Sequence, residues 1–219
     1  MITFYSLPIS NFAAKVEIAL RLKGVAYETV PPPGGYASPS YKAVVPAGTI
    51  PAIVHDDGSG DVLVLSESET IAEYVNEAFP EPPLLPVDVK ARARCRQIAR
   101  FHDTRLEPIL RTLFPHLVPH SREADVVEQQ LALFKTRLAD LAAMTTPDPW
   151  LAGQELTLAD LAYPPTLLMG RLLLEHLGEP FDLPPSLAAW HERALSHPAF
   201  VPVLQAQEAA SREWLANKR

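Results

Sequence analysis

Cysteine is almost absent from this sequence of 219 residues, which contains only Cys95. A single cysteine excludes an intrachain disulfide framework, and it fits a reducing compartment. No run of about 20 consecutive apolar residues occurs, so the sequence predicts no membrane-spanning helix. The segment Met1–Ser6 lacks the basic stretch and apolar core of a secretory signal. We therefore expect a cytoplasmic protein without a membrane partner.

Basic residues are outnumbered, since 19 lysines and arginines face 26 aspartates and glutamates, for a net charge of −7. The stretch richest in basic residues, from Lys90 to Arg105, has the spacing of one polar helix face. This balance disfavours nucleic acid as a partner. The sequence also lacks a cysteine pair and a Gly-rich phosphate loop, and we expect no bound metal.

What the sequence does contain is an ordinary globular composition with as many as 23 prolines, which bound short elements sharply. Four of these prolines fall within residues 80–86, and the hydrophobic pattern changes there. We predict a first domain at residues 1–79, a linker at 80–88 and a second domain at 89–219.

The first half alternates short apolar runs with helical patterns. This predicts a β-α-β unit followed by a β-hairpin and a helix, that is, a four-stranded mixed sheet covered by helices. The predicted strands are 2–6, 25–30, 52–55 and 62–65, and the predicted helices are 13–23, a short turn or helix at 38–42, and 68–79.

The second half is helical to its end, which predicts an all-α domain of about five helices. Thr157 and Asp160 have the spacing of a capping box at the start of one of them. The predicted helices are 89–117 with breaks near Pro108 and Pro115, 123–144, 157–177, 184–196, and 198–216. Pro164-Pro165 should either kink the helix over 157–177 or set its first turn apart.

Two segments of the first half have the features of a small-ligand site. Ile50 precedes Pro51 just ahead of a predicted strand, where an X-Pro bond is a candidate cis peptide. That turn would present the backbone N–H and C=O of Ile50 to an extended, peptide-like ligand. Ser68 begins a predicted helix, where its hydroxyl and the free N–H groups suit an anion. The alternative is that Ser68 only caps the helix.

These segments resemble the cytosolic glutathione transferases, and the resemblance covers essentially the whole chain. It is specific because the Ile-Pro turn and the Glu-Ser helix start occur together at this separation. The matching segments are Ser6–Ser10, Lys15–Leu20, Val45–Ala52, Leu65–Val75, Leu156–Tyr163 and Trp190–Pro198. The resemblance implies an α/β thioredoxin-like N-terminal domain, an all-α C-terminal domain, glutathione as co-substrate and a homodimer.

The resemblance also implies roles for single residues of the first domain. Ile50 would pair with the cysteinyl backbone of glutathione ahead of a cis-proline, Pro51. Glu67 and Ser68 would hold the γ-glutamyl end. The glycyl carboxylate is commonly bound by His, Lys or Gln near the positions of Tyr36 and Thr49, which offer only hydroxyl groups here, so Lys42 or a residue from elsewhere would compensate.

Members of the family lower the pKa of the glutathione thiol with one hydrogen-bond donor after the first strand. Ser10 lies six positions before Val16, a spacing similar to the Ser-type classes, so we favour Ser10 as this donor and Asn11 next. Tyr5 fits a strand residue that faces a core. Ser10 would also suit a helix cap, and the two roles are compatible.

In this family the electrophile site lies between the domains, and six residues are candidates to line it. For each of them the alternative is an ordinary core or surface position. They are Phe12, His102, Arg105, Leu106, Phe114 and Leu168. His102 is next to Asp103, but neighbours on one helix do not face each other, so we expect no catalytic dyad.

The resemblance implies an enzyme that binds glutathione in its first domain and conjugates the thiolate to a small apolar electrophile. Two alternatives stay open at this point. One is glutathione-dependent isomerisation or dehalogenation on the same scaffold. The other is a non-catalytic module that binds thiol ligands or partner proteins.

Overall fold

A computed structural model describes residues 1–218. The chain divides into two compact units, one at Met1–Leu84 and one that begins at Leu85. The division falls within the predicted linker, where prolines interrupt regular structure. In this described part, no helix is both long and apolar enough to cross a membrane.

The first unit is the predicted four-stranded mixed sheet, and its strands lie in the order β2-β1-β3-β4. Strand β1 runs parallel to β2 and antiparallel to β3, and β3 runs antiparallel to β4. The strands are β1 (Ile2–Tyr5), β2 (Tyr27–Val30), β3 (Ala52–Asp56) and β4 (Val62–Ser66). The helices are α1 (Asn11–Leu22), α2 (Pro39–Lys42) and α3 (Ser68–Ala78).

Alternate strand residues separate the two faces of this sheet. Phe4 and Ile53 pair across β1 and β3 and pack with Val16 of α1 and Ile71 of α3 in one buried cluster. On the other face, Tyr5 packs against a smaller cluster that contains Tyr41 of α2. Each large side chain buried this way contributes about 1.5–3 kcal/mol to the free energy of folding. Packing on both faces therefore stabilises the sheet.

The second unit is helical throughout its regular structure, as predicted. Its helices are α4 (Val89–Phe101), α5 (Glu107–Leu113), α6 (Ala124–Met144), α7 (Leu158–Leu161), α8 (Tyr163–Leu177), α9 (Pro185–Ser196) and α10 (Val201–Ala216). Short 3₁₀ turns at Phe114–His116 and Pro119–Ser121 connect α5 to α6.

The break predicted near Pro108 lies in a π turn, His102–Leu106, between α4 and α5. Pro108 has no N–H for the carbonyl four residues back, and its ring clashes with that carbonyl, so the turn ahead of it widens. The Glu107 N–H accordingly donates to the carbonyl of His102, five residues earlier.

The predicted capping box is confirmed at Thr157 and Asp160. The buried Asp160 carboxylate accepts hydrogen bonds from the Thr157 N–H at 2.9 Å, the Leu151 N–H at 2.8 Å and the Trp190 indole at 2.9 Å. Burial raises the pKa of Asp160 to about 6. This carboxylate therefore ties a loop and α9 to the start of α7.

The helix predicted over residues 157–177 is interrupted at Ala162, which separates α7 from α8. Pro164 and Pro165 follow directly and cannot donate to the carbonyls four residues before them. Proline is tolerated in a first helical turn, so the chain restarts as α8 instead of kinking within one helix.

Candidate functional site

Four segments of the first unit meet at one end of its sheet. We call this end, where three strands stop and the fourth starts, the sheet edge. Strands β1, β2 and β4 end there and β3 begins there, because β3 alone runs in the opposite direction. The register pairs Tyr5 with Ala52 and Ala52 with Ser66. The turns that carry Ser10, Tyr36, Ile50 and Ser68 therefore all leave from this edge, which is the arrangement that a single site requires.

The turn before β3 presents unpaired backbone groups. The Ile50–Pro51 peptide bond is cis. Within residues 1–218, neither the N–H nor the carbonyl of Ile50 is hydrogen-bonded to another protein group. The Tyr41 hydroxyl donates to the neighbouring Thr49 carbonyl at 2.8 Å, and burial raises the pKa of Tyr41 to about 12, so the donor stays protonated. Ile50 can thus pair with a ligand while Tyr41 holds the turn.

The start of α3 offers hydrogen-bond donors. Ser68 is the first helical residue and 6% exposed, and its hydroxyl makes no capping hydrogen bond. The interpretation of Ser68 as a plain helix cap is therefore wrong, since Glu67 occupies the N-cap position. Glu67 has a φ of 72°, which is unusual for a residue with a side chain. The first N–H groups of a helix have no intrahelical partner and suit a carboxylate.

Ser10 caps α1. Its hydroxyl oxygen accepts a hydrogen bond from the Ala13 N–H at 3.2 Å, which leaves the hydroxyl proton to be donated elsewhere. Ser10 is 8% exposed, and Asn11 is buried as the first residue of the helix. A proton donor at a helix N-terminus is the combination that stabilises a thiolate.

An ion pair that sequence reasoning missed joins α1 to α3. Lys15 Nζ lies 2.9 Å from Glu69 Oε2, and the Lys15 side chain is only 1% exposed. The available signal was the position of Lys15 beside Ala14 and Ile18 on a buried helix face. Its partner is 54 positions away, so local patterns could not identify it. The pair sets the spacing between the N-termini of the two helices.

The three residues predicted to bind the glycyl carboxylate, Tyr36, Thr49 and Lys42, differ in their exposure and contacts. Tyr36 is 65% exposed, and the Thr49 side chain is exposed as well. The aliphatic stem of Lys42 runs across Gly48, where an added Cβ would come within 2.9 Å of Lys42 Cε. A glycine at position 48, with a φ of 65°, thus lets Lys42 pass close to Thr49.

Two predicted walls of the electrophile site are core residues instead. His102 and Leu106 are fully buried. His102 Nε2 lies 2.7 Å from Thr166 Oγ1, and its Nδ1 lies 2.7 Å from Asp103 Oδ1. The expectation that His102 and Asp103 do not face each other is wrong, because a π turn rotates successive side chains by less than an α-helix does. With both nitrogens engaged, His102 joins the π turn to α8.

The other predicted walls keep some accessible surface or border it. Phe12 is half-buried beside Lys15, whose Nζ lies 5.7 Å from the ring centroid. Arg105 is exposed and borders a cleft against α6. Phe114 packs edge-on against Trp214 at 5.0 Å, and Leu168 is 6% exposed on α8. Their role in holding an electrophile stays a prediction.

One His-x3-His spacing occurs in the sequence, at His116 and His120. The intervening Pro119 places the two histidines in separate 3₁₀ turns, and His116 Nδ1 accepts the Glu123 N–H at 3.2 Å. Across residues 1–218, no cluster of three His, Cys, Asp or Glu side chains is arranged to hold a metal ion.

Comparison with known families matches both units. Residues 4–83 match the model described as glutathione S-transferase, N-terminal domain, and residues 101–198 match glutathione S-transferase, C-terminal domain. A solved glutathione transferase family member from Pseudomonas fluorescens, with two glutathione bound, is 26% identical. It superposes with a TM-score of 0.78 over 93% of this chain and 92% of that one.

Curated relatives extend over most of the chain. Maleylacetoacetate isomerase of Pseudomonas aeruginosa is 29% identical over 203 residues, which cover 90% of this chain and 92% of that protein. Glutathione S-transferase Z2 of Arabidopsis thaliana is 32% identical over 204 residues, covering 90% and 87%. With both domain models matched in order and a relative of this identity along its length, the chain belongs to the glutathione S-transferase family.

Proposed function

We propose that this protein binds glutathione at the sheet edge of its first unit and transfers the glutathione thiolate to a small apolar electrophile. The observation that carries the proposal is the unpaired backbone of Ile50 beside the cis-proline. Backbone groups that are removed from water are nearly always hydrogen-bonded in proteins, and Ile50 is half-buried. An extended tripeptide supplies the missing donor and acceptor by pairing with the backbone of Ile50 as a neighbouring strand would.

The two ends of the tripeptide find partners in the same region. The γ-glutamyl carboxylate accepts from the Ser68 hydroxyl and from the free N–H groups of α3, while the Glu67 carboxylate pairs with the amino group. The glycyl carboxylate pairs with Lys42, whose stem crosses Gly48 beside Thr49. Tyr36 is exposed on the same side of the sheet edge and adds a hydroxyl donor.

Chemistry begins with the thiol proton leaving to solvent. Ser10 donates a hydrogen bond from its hydroxyl to the thiolate sulfur, and the N-terminus of α1 adds a favourable dipole. The thiolate then forms a carbon–sulfur bond, and the leaving group departs with its bonding electrons. Phe12, half-buried beside Lys15 in the same unit, is the residue that we assign to the electrophile.

Isothermal titration with glutathione tests the binding step. Ser68→Ala should weaken binding roughly tenfold or more, because a hydrogen bond to a charged group contributes about 1.5–3 kcal/mol. Thr70→Ala is the matched control, since Thr70 lies two residues later in the same helix and its side chain is exposed. Equal affinities for the two variants would contradict the assignment of Ser68.

Glutathione-dependent isomerisation is a second candidate, favoured by the similarity to maleylacetoacetate isomerase. In that reaction the thiolate adds to a double bond, the bond rotates, and elimination returns free glutathione. An isomerase therefore turns over many substrate molecules per glutathione, whereas a transferase consumes one glutathione per product. Measuring free thiol during turnover of maleylacetoacetate and of a chlorodinitrobenzene distinguishes the two reactions.

A further inference from the structure

The helical unit contains a cavity that includes none of the residues we assign to glutathione and shares only Leu168 with the predicted electrophile walls. It has a volume of about 220 Å³ and lies between α8, α9 and α10. All its lining residues follow Leu84, so none belongs to the glutathione-binding sheet edge. Its apolar walls are Leu167, Leu168, Phe181, Leu195, Val201 and Leu204. Leu195 is 41% exposed, which leaves an apolar side chain at the cavity's outer surface.

Among the polar residues of the lining described by the structure, His191 has a buried nitrogen without a hydrogen-bond partner. His191 lines the cavity, and its Nε2 atom is buried and makes no hydrogen bond within the described chain. An unsatisfied buried polar atom costs on the order of 1–3 kcal/mol. The other polar residues of the lining are Arg171, Gln205 and Glu208, and its remaining six residues are apolar.

The charges at the cavity are balanced. Arg171 lines it on α8 and pairs with Glu208 of α10 at 3.2 Å. Arg212 also bonds Glu208, at 2.9 Å, and reaches Glu175 at 3.3 Å. Two arginines thus face two glutamates. Burial, and then Arg171, lower the pKa of His191 to about 4, so the imidazole is neutral near pH 7. The cavity therefore has no net charge with which to select an ion.

We infer that this cavity binds a small uncharged aromatic alcohol whose ring contacts the leucines and Phe181 and whose hydroxyl pairs with His191 Nε2. A hydroxyl can donate or accept, so it satisfies Nε2 in either tautomer of the neutral ring. The volume is below that of pockets for drug-sized molecules, which matches a ligand of one or two rings. This site goes beyond the proposed reaction and does not depend on it.

The test compares two ligands of the same shape, β-naphthol and β-methylnaphthalene, by isothermal titration of the full chain. The wild type should bind the naphthol roughly three- to tenfold more tightly, the value of one neutral hydrogen bond. His191→Leu should remove that preference while keeping affinity for the hydrocarbon. Leu195→Trp should abolish binding of both, because the larger side chain at this partly exposed position fills the cavity.

Absence of saturable naphthol binding to the wild type overturns the inference. So does an unchanged preference in His191→Leu, or unchanged affinity in Leu195→Trp, since either result places the ligand elsewhere. Folding of each variant is checked by tryptophan fluorescence and circular dichroism. If His191→Leu unfolds, His191→Phe, which also lacks a hydrogen-bonding group, replaces it, and a wild-type crystal soaked with naphthol must show the ligand between α8 and α10.

Discussion

The hydroxyl group of Ser10 can cap a helix and donate a hydrogen bond to a ligand at the same time. Its oxygen accepts the Ala13 N–H to cap α1, and its proton remains for a ligand. Replacing it therefore has a structural and a chemical consequence. The structural part is the loss of a cap, which costs about 1 kcal/mol. Separating the two parts requires a variant that loses a cap and nothing else.

Ser10→Ala should lower kcat/KM for conjugation roughly 10- to 100-fold, because it removes a hydrogen bond to a charged sulfur. The pKa of bound glutathione should rise, so the pH–rate profile moves to higher pH. Asp88→Ala is the control, since Asp88 caps α4 by accepting the Ala91 N–H at 2.8 Å. Both variants should lose similar stability in urea, and an equal loss of activity in both would disprove the thiolate role.

Glu67 keeps a backbone conformation that favours glycine. Its φ of 72° and ψ of 110° lie outside the usual regions for a residue with a Cβ. Strained residues of this kind cost on the order of 1–3 kcal/mol and persist where the surroundings impose them. The side chain at this position therefore has a use that outweighs the strain, which the proposed contact with the glutathione amino group supplies.

Glu67→Gly should raise the free energy of unfolding by about 1 kcal/mol or less, since glycine relieves the strain but loses more entropy on folding. Glutathione should bind at least several-fold more weakly because the carboxylate is gone. Ala37→Gly is matched, as Ala37 has a φ of 62° and no charge to lose. Urea unfolding and titration calorimetry give both quantities, and unchanged affinity in Glu67→Gly would exclude the contact.

At the scale of elements, the buried pair between Lys15 and Glu69 fixes how α1 and α3 face each other. Both helices contribute donors to the proposed site through their N-termini. A shift of one helix along the other would separate Ser10 from Ser68. A buried ion pair need not add net stability, but removing one member leaves a charge without compensation.

Lys15→Met should destabilise the protein by about 2 kcal/mol and weaken glutathione binding, because it removes the buried cation that pairs with Glu69. Lys15→Met with Glu69→Leu should recover part of that stability without restoring affinity fully. Arg137→Met serves as control: its pair with Asp140 is partly exposed and should contribute at most about 1 kcal/mol. Equal losses in the two single variants, measured by urea unfolding, would refute the role of the buried pair.

Prediction of elements succeeded where local rules decide the outcome. The four strands, the hairpin and α3 follow from alternation and turn residues. The break ahead of Pro108 was expected, but its form was not, because a π turn depends on how the freed carbonyls are satisfied in the folded unit. That turn brings His102 against Asp103 and Thr166, which turns a predicted pocket wall into a core contact.

At the scale of the whole molecule, the stability of the helical unit can be followed separately. All three tryptophans, Trp150, Trp190 and Trp214, follow Leu84, so their fluorescence reports on that unit. Two buried groups give it opposite pH dependences. The raised pKa of Asp160 adds stability that is lost as pH rises through about 6. The lowered pKa of His191 adds stability that is lost as pH falls toward about 4.

His191→Gln should therefore lose less stability than the wild type on acidification. Between pH 6.5 and 4.5 the unfolded state binds a proton at His191 that the folded state does not, which is worth about 2 kcal/mol. Asp160 is common to both proteins and cancels in the difference. Urea unfolding followed by tryptophan fluorescence at several pH values measures it, and parallel curves would show that His191 titrates normally when folded.

Sequence alone was enough for the mixed four-stranded sheet, the all-helical second half and the turn that presents the backbone of Ile50, because alternation, proline positions and helix-start residues act over a few neighbouring positions. Only the tertiary structure revealed the strand order, the Lys15–Glu69 pair and the cavity at His191. Each of these depends on groups far apart in the chain, whose burial and partners are decided when the elements pack together.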